Sequence, residues 1–288
     1  MHSPSIVSLL TFITAPLKYG FMVRSLIAAV IVGIICSLVG TYVVLKGLAF
    51  MGDALAHSLL PGLAVAYLIG GTATMPLFWG SLIAGLLTAA GIGMITRGGQ
   101  LKEDTAIGII FAGMFALGIA IISSVRNYSV DLTHFLFGNI LGVTRADIIL
   151  SLVIGLAVVL LILLFYKELL VVIFDPILAR TLRLPIMVFQ FMLLFMIALV
   201  IVVSLQVVGV ALMVAMLITP AATAYMLTNR LHWMMLLSVL FGVASSSVGL
   251  YASYYLNIAS GAAIVLVCTL IFIFVFIFSP KRKLLIKV

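Results

Sequence analysis

The chain has 288 residues, of which 66% are hydrophobic and 8% are charged, and its mean hydropathy is +1.45. Soluble domains contain about 45–50% apolar residues, so this composition excludes a soluble globular protein and indicates an integral membrane protein. The net charge of +8 comes mostly from Lys and Arg between the apolar segments, which is typical of cytoplasmic loops and does not indicate nucleic-acid binding.

Residues 1–19 are only mildly apolar, which predicts an interfacial lead-in and not a membrane span. The later apolar segments are continuous and do not alternate with polar residues, so they favour transmembrane helices over barrel strands. The candidate spans are 22–45, 53–70, 74–96, 105–124, 146–166, 186–204, 207–228, 231–252 and 258–279. The second contains Pro61-Gly62, and Gln206 and Pro220 interrupt the stretch 186–228. Eight full spans plus a re-entrant or broken helix is therefore an equal alternative to nine spans. Because polar stretches are short, we expect one transmembrane domain over 1–288.

The basic residues predict the orientation of this domain in the membrane. With nine spans, most basic positions fall on one side, which the positive-inside rule assigns to the cytoplasm, although the opposite loop 125–145 also contains Arg126 and Arg145 beside the acidic Asp131. The cytoplasmic positions are 46, 97–102, 167–183, 230 and the basic tail 280–288. The N-terminus and the loop 125–145 then lie outside. Asp131, His134 and Asn139 in or beside that loop could receive an ion, although ordinary loop polarity also explains them.

The segment 51–62 carries an Asp and a His four residues apart, Asp53 and His57, between long apolar runs. Positions i and i+4 share one face of a helix, so a carboxylate oxygen and an imidazole nitrogen can both contact one ion at about 2.0–2.2 Å. Oxygen and nitrogen donors without a thiolate suit Mn²⁺, Zn²⁺ or Fe²⁺ better than Cu⁺. Two ligands form a weak site, as a conducting pathway requires. The alternative is that Asp53 is a helix N-cap and His57 an interhelical polar contact.

Residues 174–185 predict a short amphipathic helix on the cytoplasmic side. Asp175 is expected to cap it, Pro176 to lie in its first turn and Pro185 to end it. Such a helix could dock into the groove of a partner protein. A simple connector with positive-inside arginines is the alternative.

Two common catalytic signatures are absent from the sequence. No G-x-x-x-x-G-K-[ST] stretch is present, so ATP is not bound by that route, and no H-E-x-x-H stretch is present. No nucleophile or complete set of metal ligands is evident either. We therefore expect a non-catalytic protein.

Five stretches together resemble one family, the manganese, zinc and iron permeases of ABC transporters, which are relatives of the cobalamin and siderophore permeases. They occur in the same order and cover nearly the whole chain. The stretches are 40–46 (GTYVVLK) leading into 51–62 (MGDALAHSLLPG), 103–109 (EDTAIGI), 136–141 (LFGNIL), and 208–212 (VGVAL) followed by 218–224 (ITPAATA).

The resemblance implies an all-α polytopic bundle of eight or nine transmembrane helices, similar to type II ABC importers, with a short cytoplasmic coupling helix. It implies a homodimer with the pathway between the copies, two ATP-binding cassette ATPase subunits that hydrolyse the ATP, and an extracytoplasmic metal-binding protein. It also implies a multi-pass protein of the bacterial plasma membrane with no permanently bound cofactor, which transports a divalent ion, Mn²⁺ before Zn²⁺ or Fe²⁺.

Particular residues take their roles from the same resemblance. Asp53 and His57 match residues that line the metal pathway. The position of the coupling helix corresponds to Asp175, Leu178, Ala179, Leu182 and Pro185. The stretch beside His134 is more similar to manganese and iron members than to zinc members.

A second function from another class stays open at this point. A secondary carrier or channel could work without an ATPase and use Asp53 and His57 as a proton relay. Such a protein would lose transport in the presence of a proton uncoupler and keep it in the presence of vanadate.

Overall fold

The computed structural model describes residues 14–71, 74–96, 102–124 and 140–279, and these residues form helices and short connections without strands. The predicted lead-in lies mostly outside the described residues, and the basic tail 280–288 lies wholly outside them. The α-helices discussed below are α1 (Gly20–Leu45), α2 (Ala49–Ser58), α3 (Leu60–Gly70), α4 (Thr74–Thr96), α5 (Glu103–Ser123), α6 (Arg145–Leu164), α7 (Tyr166–Phe174), α8 (Pro176–Thr181), α9 (Ile186–Val208), α10 (Val210–Leu227), α11 (Leu231–Leu256) and α12 (Ser260–Phe278). A 3₁₀ turn, Ile140–Gly142, precedes α6.

Nine helical stretches among the described residues are long and apolar enough to cross a membrane. They follow the nine predicted candidates in order, and the second, Ala49–Gly70, consists of α2 and α3 together. The break falls at Leu59, and Pro61 lies in the first turn of α3, where a missing N–H is tolerated. The structure thus favours the alternative of nine spans, and the interruption at Leu59 lies within the second of them.

The centre of the bundle is α1, which packs against α10, α11, α6 and α9. Small residues allow close approach: a Cβ on Gly33 would lie 3.2 Å from the carbonyl oxygen of Gly242 in α11. Nearby, the hydroxyl of Ser246 in α11 donates a hydrogen bond to the carbonyl of Ala29 at 3.0 Å. Close contact between small residues, together with hydroxyl-to-backbone hydrogen bonds, is the usual way in which helices associate in a membrane.

The connection after α6 contains two short helices and not the one that the sequence predicted. The charged pair Lys167-Glu168 lies inside α7, and α8 follows directly. Asp175 caps α8 as expected, because its Oδ1 accepts a hydrogen bond from the N–H of Leu178 at 2.9 Å. The helix ends at Thr181, earlier than the expected stop at Pro185.

A reversal of the chain explains this early end. Arg183 has a left-handed φ of 55°, and the N–H of Leu184 donates to the carbonyl of Ala179 at 3.0 Å. This is the arrangement that commonly ends helices at a left-handed residue. Pro185 instead occupies the position before α9.

Candidate metal site

Asp53 lies inside α2 and not at its start. The helix begins at Ala49, and the capping position is Leu48, which makes no side-chain capping bond. Asp53 therefore does not serve as the N-cap, and the capping half of that alternative is wrong. Its carboxylate has no helix terminus to satisfy and is available to another group.

Asp53 and His57 face each other on the open side of α2. The distance between Asp53 Oδ1 and His57 Nε2 is 3.6 Å, and the two side chains are 44% and 26% exposed. An ion about 2.1 Å from both atoms would see them about 118° apart, close to a tetrahedral angle. Met51 and Leu55 on the same helix are fully buried. One face of α2 is thus packed into the bundle, and the other places a carboxylate oxygen and an imidazole nitrogen close enough for one ion to contact both.

Aromatic side chains of α5 form the wall beside His57. The ring centroids of His57 and Phe115 are 5.7 Å apart and those of His57 and Phe111 are 6.2 Å apart. Phe50 in the first turn of α2 contacts Phe111 edge-on at 6.3 Å. Sequence reasoning missed these phenylalanines, because the stretch 103–109 marks the start of α5 but carries no signal for residues further along it.

One chain supplies only two ligands to this site as far as the structure describes it. Within the described ranges, no cluster of three or more His, Cys, Asp or Glu residues could hold a metal ion. The other predicted ligands, Asp131, His134 and Asn139, lie outside the described residues. Within the described ranges, Asp53 and His57 are therefore the two candidate ligands that the structure brings together.

The expected coupling segment presents an apolar surface around α8. Leu178 and Leu182 are 44% and 56% exposed, whereas Ala179 is fully buried against its own chain. Ile177 is 77% exposed and was not singled out from the sequence, in which it is one of several aliphatic residues in the segment. The exposed set of α8 and the residue after it is therefore Ile177, Leu178 and Leu182, and Phe174 at the end of α7 is exposed as well.

Residues 18–279 match the sequence pattern of a protein family that is described as "ABC 3 transport family". The chain belongs to this family. It is 47% identical over 271 residues to the "Manganese transport system membrane protein MntC" of Halalkalibacterium halodurans, covering 94% of this chain and 91% of that protein. It is 40% identical to the "Manganese import system permease protein ScaB" of Streptococcus gordonii, covering 95% and 97%.

Solved structures agree with this assignment. The chain is similar to "PsaBC from Streptococcus pneumoniae in complex with Fab", with a TM-score of 0.83, 40% identity, and coverage of 96% of this chain and 98% of that one. An inward-facing putative metal-chelate type ABC transporter shares the fold at a TM-score of 0.73 and 14% identity, covering 96% and 91%. The chain is thus an ABC transporter permease, a multi-pass protein of the bacterial membrane, as the sequence resemblance predicted.

Proposed function

We propose that this chain is the permease through which an ABC importer passes a divalent transition-metal ion, with Mn²⁺ as the main substrate. The observation that carries the proposal is the Asp53–His57 pair, 3.6 Å apart on the open face of α2. The names of the relatives in Halalkalibacterium halodurans and Streptococcus gordonii, both manganese transport proteins, support the choice of ion. A relative from Haemophilus influenzae, 40% identical, is called a probable iron transport protein, so Fe²⁺ and Zn²⁺ are the competitors to test.

Two copies of the chain complete the site in this proposal. Each copy contributes one carboxylate and one imidazole, so a pair of copies offers four donors. Two Asp53 carboxylates carry two negative charges, which balance the charge of a divalent ion in a region where uncompensated charge is costly. Oxygen donors suit Mn²⁺, and imidazole is also acceptable to Zn²⁺ and Fe²⁺.

The exposed set of α8 is the proposed docking surface for the ATPase partners. Two ATP-binding cassette subunits would each cover Ile177, Leu178 and Leu182 and perform the hydrolysis, while the permease itself catalyses no reaction. Asp175 holds the first turn of α8 through its bond to Leu178. Ala179 supports the helix from its buried side, and Pro185 leads the chain into α9.

The last part of the proposal concerns delivery of the ion on the outer side of the membrane. An extracytoplasmic metal-binding protein would deliver the ion, and Asp131, His134 and Asn139 are proposed to meet it first. No permanently bound cofactor is part of this scheme, because the metal is the substrate.

The test is uptake of radiolabelled Mn²⁺ into vesicles that hold the permease with its ATPase and delivery protein. We expect ATP-dependent uptake by the wild type and its loss in Asp53→Asn. The control is Asp147→Asn. The carboxylate of Asp147 accepts a hydrogen bond from the N–H of Thr144 at the start of α6, and the amide oxygen of an asparagine would accept the same bond. Equal uptake by wild type and Asp53→Asn would refute the site. Uptake that survives vanadate and stops with a proton uncoupler would refute the ABC importer and support the secondary carrier.

A further inference from the structure

The imidazole of His57 lacks the hydrogen bond that normally orients a metal-binding histidine. Its Nε2 faces Asp53, and its Nδ1 is buried with no hydrogen-bond partner in the part of the chain that the structure describes. A metal-binding histidine almost always donates its second ring N–H to an acceptor, which fixes the tautomer and the direction of the ring. The ring of His57 therefore needs another means of orientation.

The ring packing around His57 offers that means. Phe115 meets the imidazole at an interplanar angle of 83°, an edge-on contact, and Phe111 meets it at 56°. The two phenylalanines lie one helical turn apart on α5 and stack on each other at 5.7 Å and 30°. Aromatic rings favour such offset and edge-on contacts at centroid distances of about 4.5–7 Å.

Phe50 extends this packing back to the metal-binding helix. Its ring contacts Phe111 at an interplanar angle of 84°, and Phe50 lies one turn before Asp53 on α2. The stacked pair of α5 is thus held between two aromatic side chains of α2, one on each side of the carboxylate. A tilt of the imidazole would disturb both phenylalanines.

We propose that Phe111 and Phe115 are positioning residues for metal binding, which hold the His57 imidazole by ring packing so that Nε2 points at the ion shared with Asp53. The proposal rests on the proposed function, since it takes His57 as a ligand. An imidazole with no acceptor at its second nitrogen is a weaker metal ligand. A histidine that is oriented by ring packing and not by a hydrogen bond therefore points at the ion but binds it weakly. A weakly bound ion is released readily, as transport requires.

The experiment measures Mn²⁺ binding to the purified complex of the permease with its ATPase, without the delivery protein. Pulsed electron paramagnetic resonance detects the ¹⁴N nucleus of an imidazole bound to Mn²⁺, and titration gives the dissociation constant. We expect the nitrogen signal in the wild type and its loss in His57→Gln. Phe115→Leu keeps an apolar side chain but removes the ring edge, and should weaken Mn²⁺ binding about threefold to tenfold. Phe115→Tyr keeps the ring edge and should bind within about twofold of wild type.

The matched control is Phe272→Leu in α12. Phe272 is half-buried and stacks one turn away on Phe276 at 6.0 Å and 28°, almost the same pair as Phe111 and Phe115, on a helix that packs on α10 and α11. This variant should bind Mn²⁺ as the wild type does. A role in folding alone would reduce the yield of both leucine variants and leave the dissociation constant of the purified complex unchanged.

The outcomes separate the two proposals. Unchanged Mn²⁺ binding in both Phe111→Leu and Phe115→Leu, with the nitrogen signal still lost in His57→Gln, would overturn the positioning role alone. A nitrogen signal that persists in His57→Gln, or no signal in the wild type, would overturn the metal site and the positioning role together.

Discussion

A Cβ atom added to Gly40 in α1 would overlap the backbone carbonyl oxygen of Leu217 in α10. The backbones of these two helices therefore touch without a side chain between them. The Cβ of Ala221, one turn further along α10, would lie 3.5 Å from the same added atom. Gly40 belongs to the stretch that leads into α2, so this contact anchors the segment just before that helix.

Gly40→Ala should destabilise the permease strongly. The added methyl group has no space unless α1 and α10 move apart, and overpacking of this kind costs about 3 kcal/mol or more. We expect little monodisperse protein and a lower unfolding midpoint in detergent. Gly20→Ala is the control on the same helix, because nothing lies within 4 Å of its added Cβ. Equal midpoints for the two variants would contradict the backbone contact.

Gly209→Ala should also destabilise the protein, through backbone strain. Gly209 is the single residue between α9 and α10, with φ of 78° and ψ of 172°, a conformation that is open almost only to glycine. Alanine there should cost about 1–3 kcal/mol, measured as a shift of the unfolding midpoint. Gly261→Ala in α12 is the control. Its added Cβ would lie 4.0 Å from Leu212 of α10, so the unfolding midpoint should stay nearly unchanged. An unchanged unfolding midpoint in Gly209→Ala would show that alanine adopts this backbone conformation without strain.

Ile177→Glu should detach the ATPase while the permease stays in the membrane. Ile177 is the most exposed apolar residue of α8, and loss of its burial in an interface should weaken association at least about tenfold. Co-purification of the ATPase with a tagged permease measures this. Ile177→Val preserves an apolar surface and should retain the partner. Normal recovery of the ATPase with Ile177→Glu would mean that the partner does not cover this residue.

Asp175→Ala should weaken the same association to a smaller degree. Removal of a capping carboxylate costs a helix about 0.5–2 kcal/mol, and α8 is only six residues long. A typical cap contributes about 1 kcal/mol, so we expect about a fivefold loss of ATPase affinity, measured by titration of the ATPase onto the permease in lipid nanodiscs. Asp175→Asn caps a helix about as well as Asp and should behave as wild type. A loss of the same size in Asp175→Asn would show that the charge, and not the cap, matters.

Those parts of the structure that depend on local sequence could be predicted. The Asp53–His57 contact follows from helix periodicity, and the cap at Asp175 follows from its place before Pro176. The order of the spans follows from hydropathy, because each apolar run must cross the same bilayer thickness.

Other parts could not be predicted, because they depend on distant residues or on a local competition between signals. The rings of Phe111 and Phe115 reach His57 only after α5 packs on α2, and spacing along the chain carries no trace of that contact. The sequence predicted one helix over 174–185, whereas the chain already re-enters a helix after Phe165. The end of α8 depends on a left-handed Arg183, a conformation that its residue type does not favour.

The distribution of close contacts around α1 has a mechanical consequence for transport. At Gly33 and Gly40 this helix meets the backbones of α11 and α10, so α1 cannot slide along either helix unless their backbones first move apart. The helix α2 is held differently, because a Cβ on Gly52 would meet the flexible end of the Leu217 side chain and no backbone atom. We therefore expect α1 to stay fixed to α10 and α11 when the permease changes conformation, whereas α2 is held at Gly52 by a side chain that can adjust.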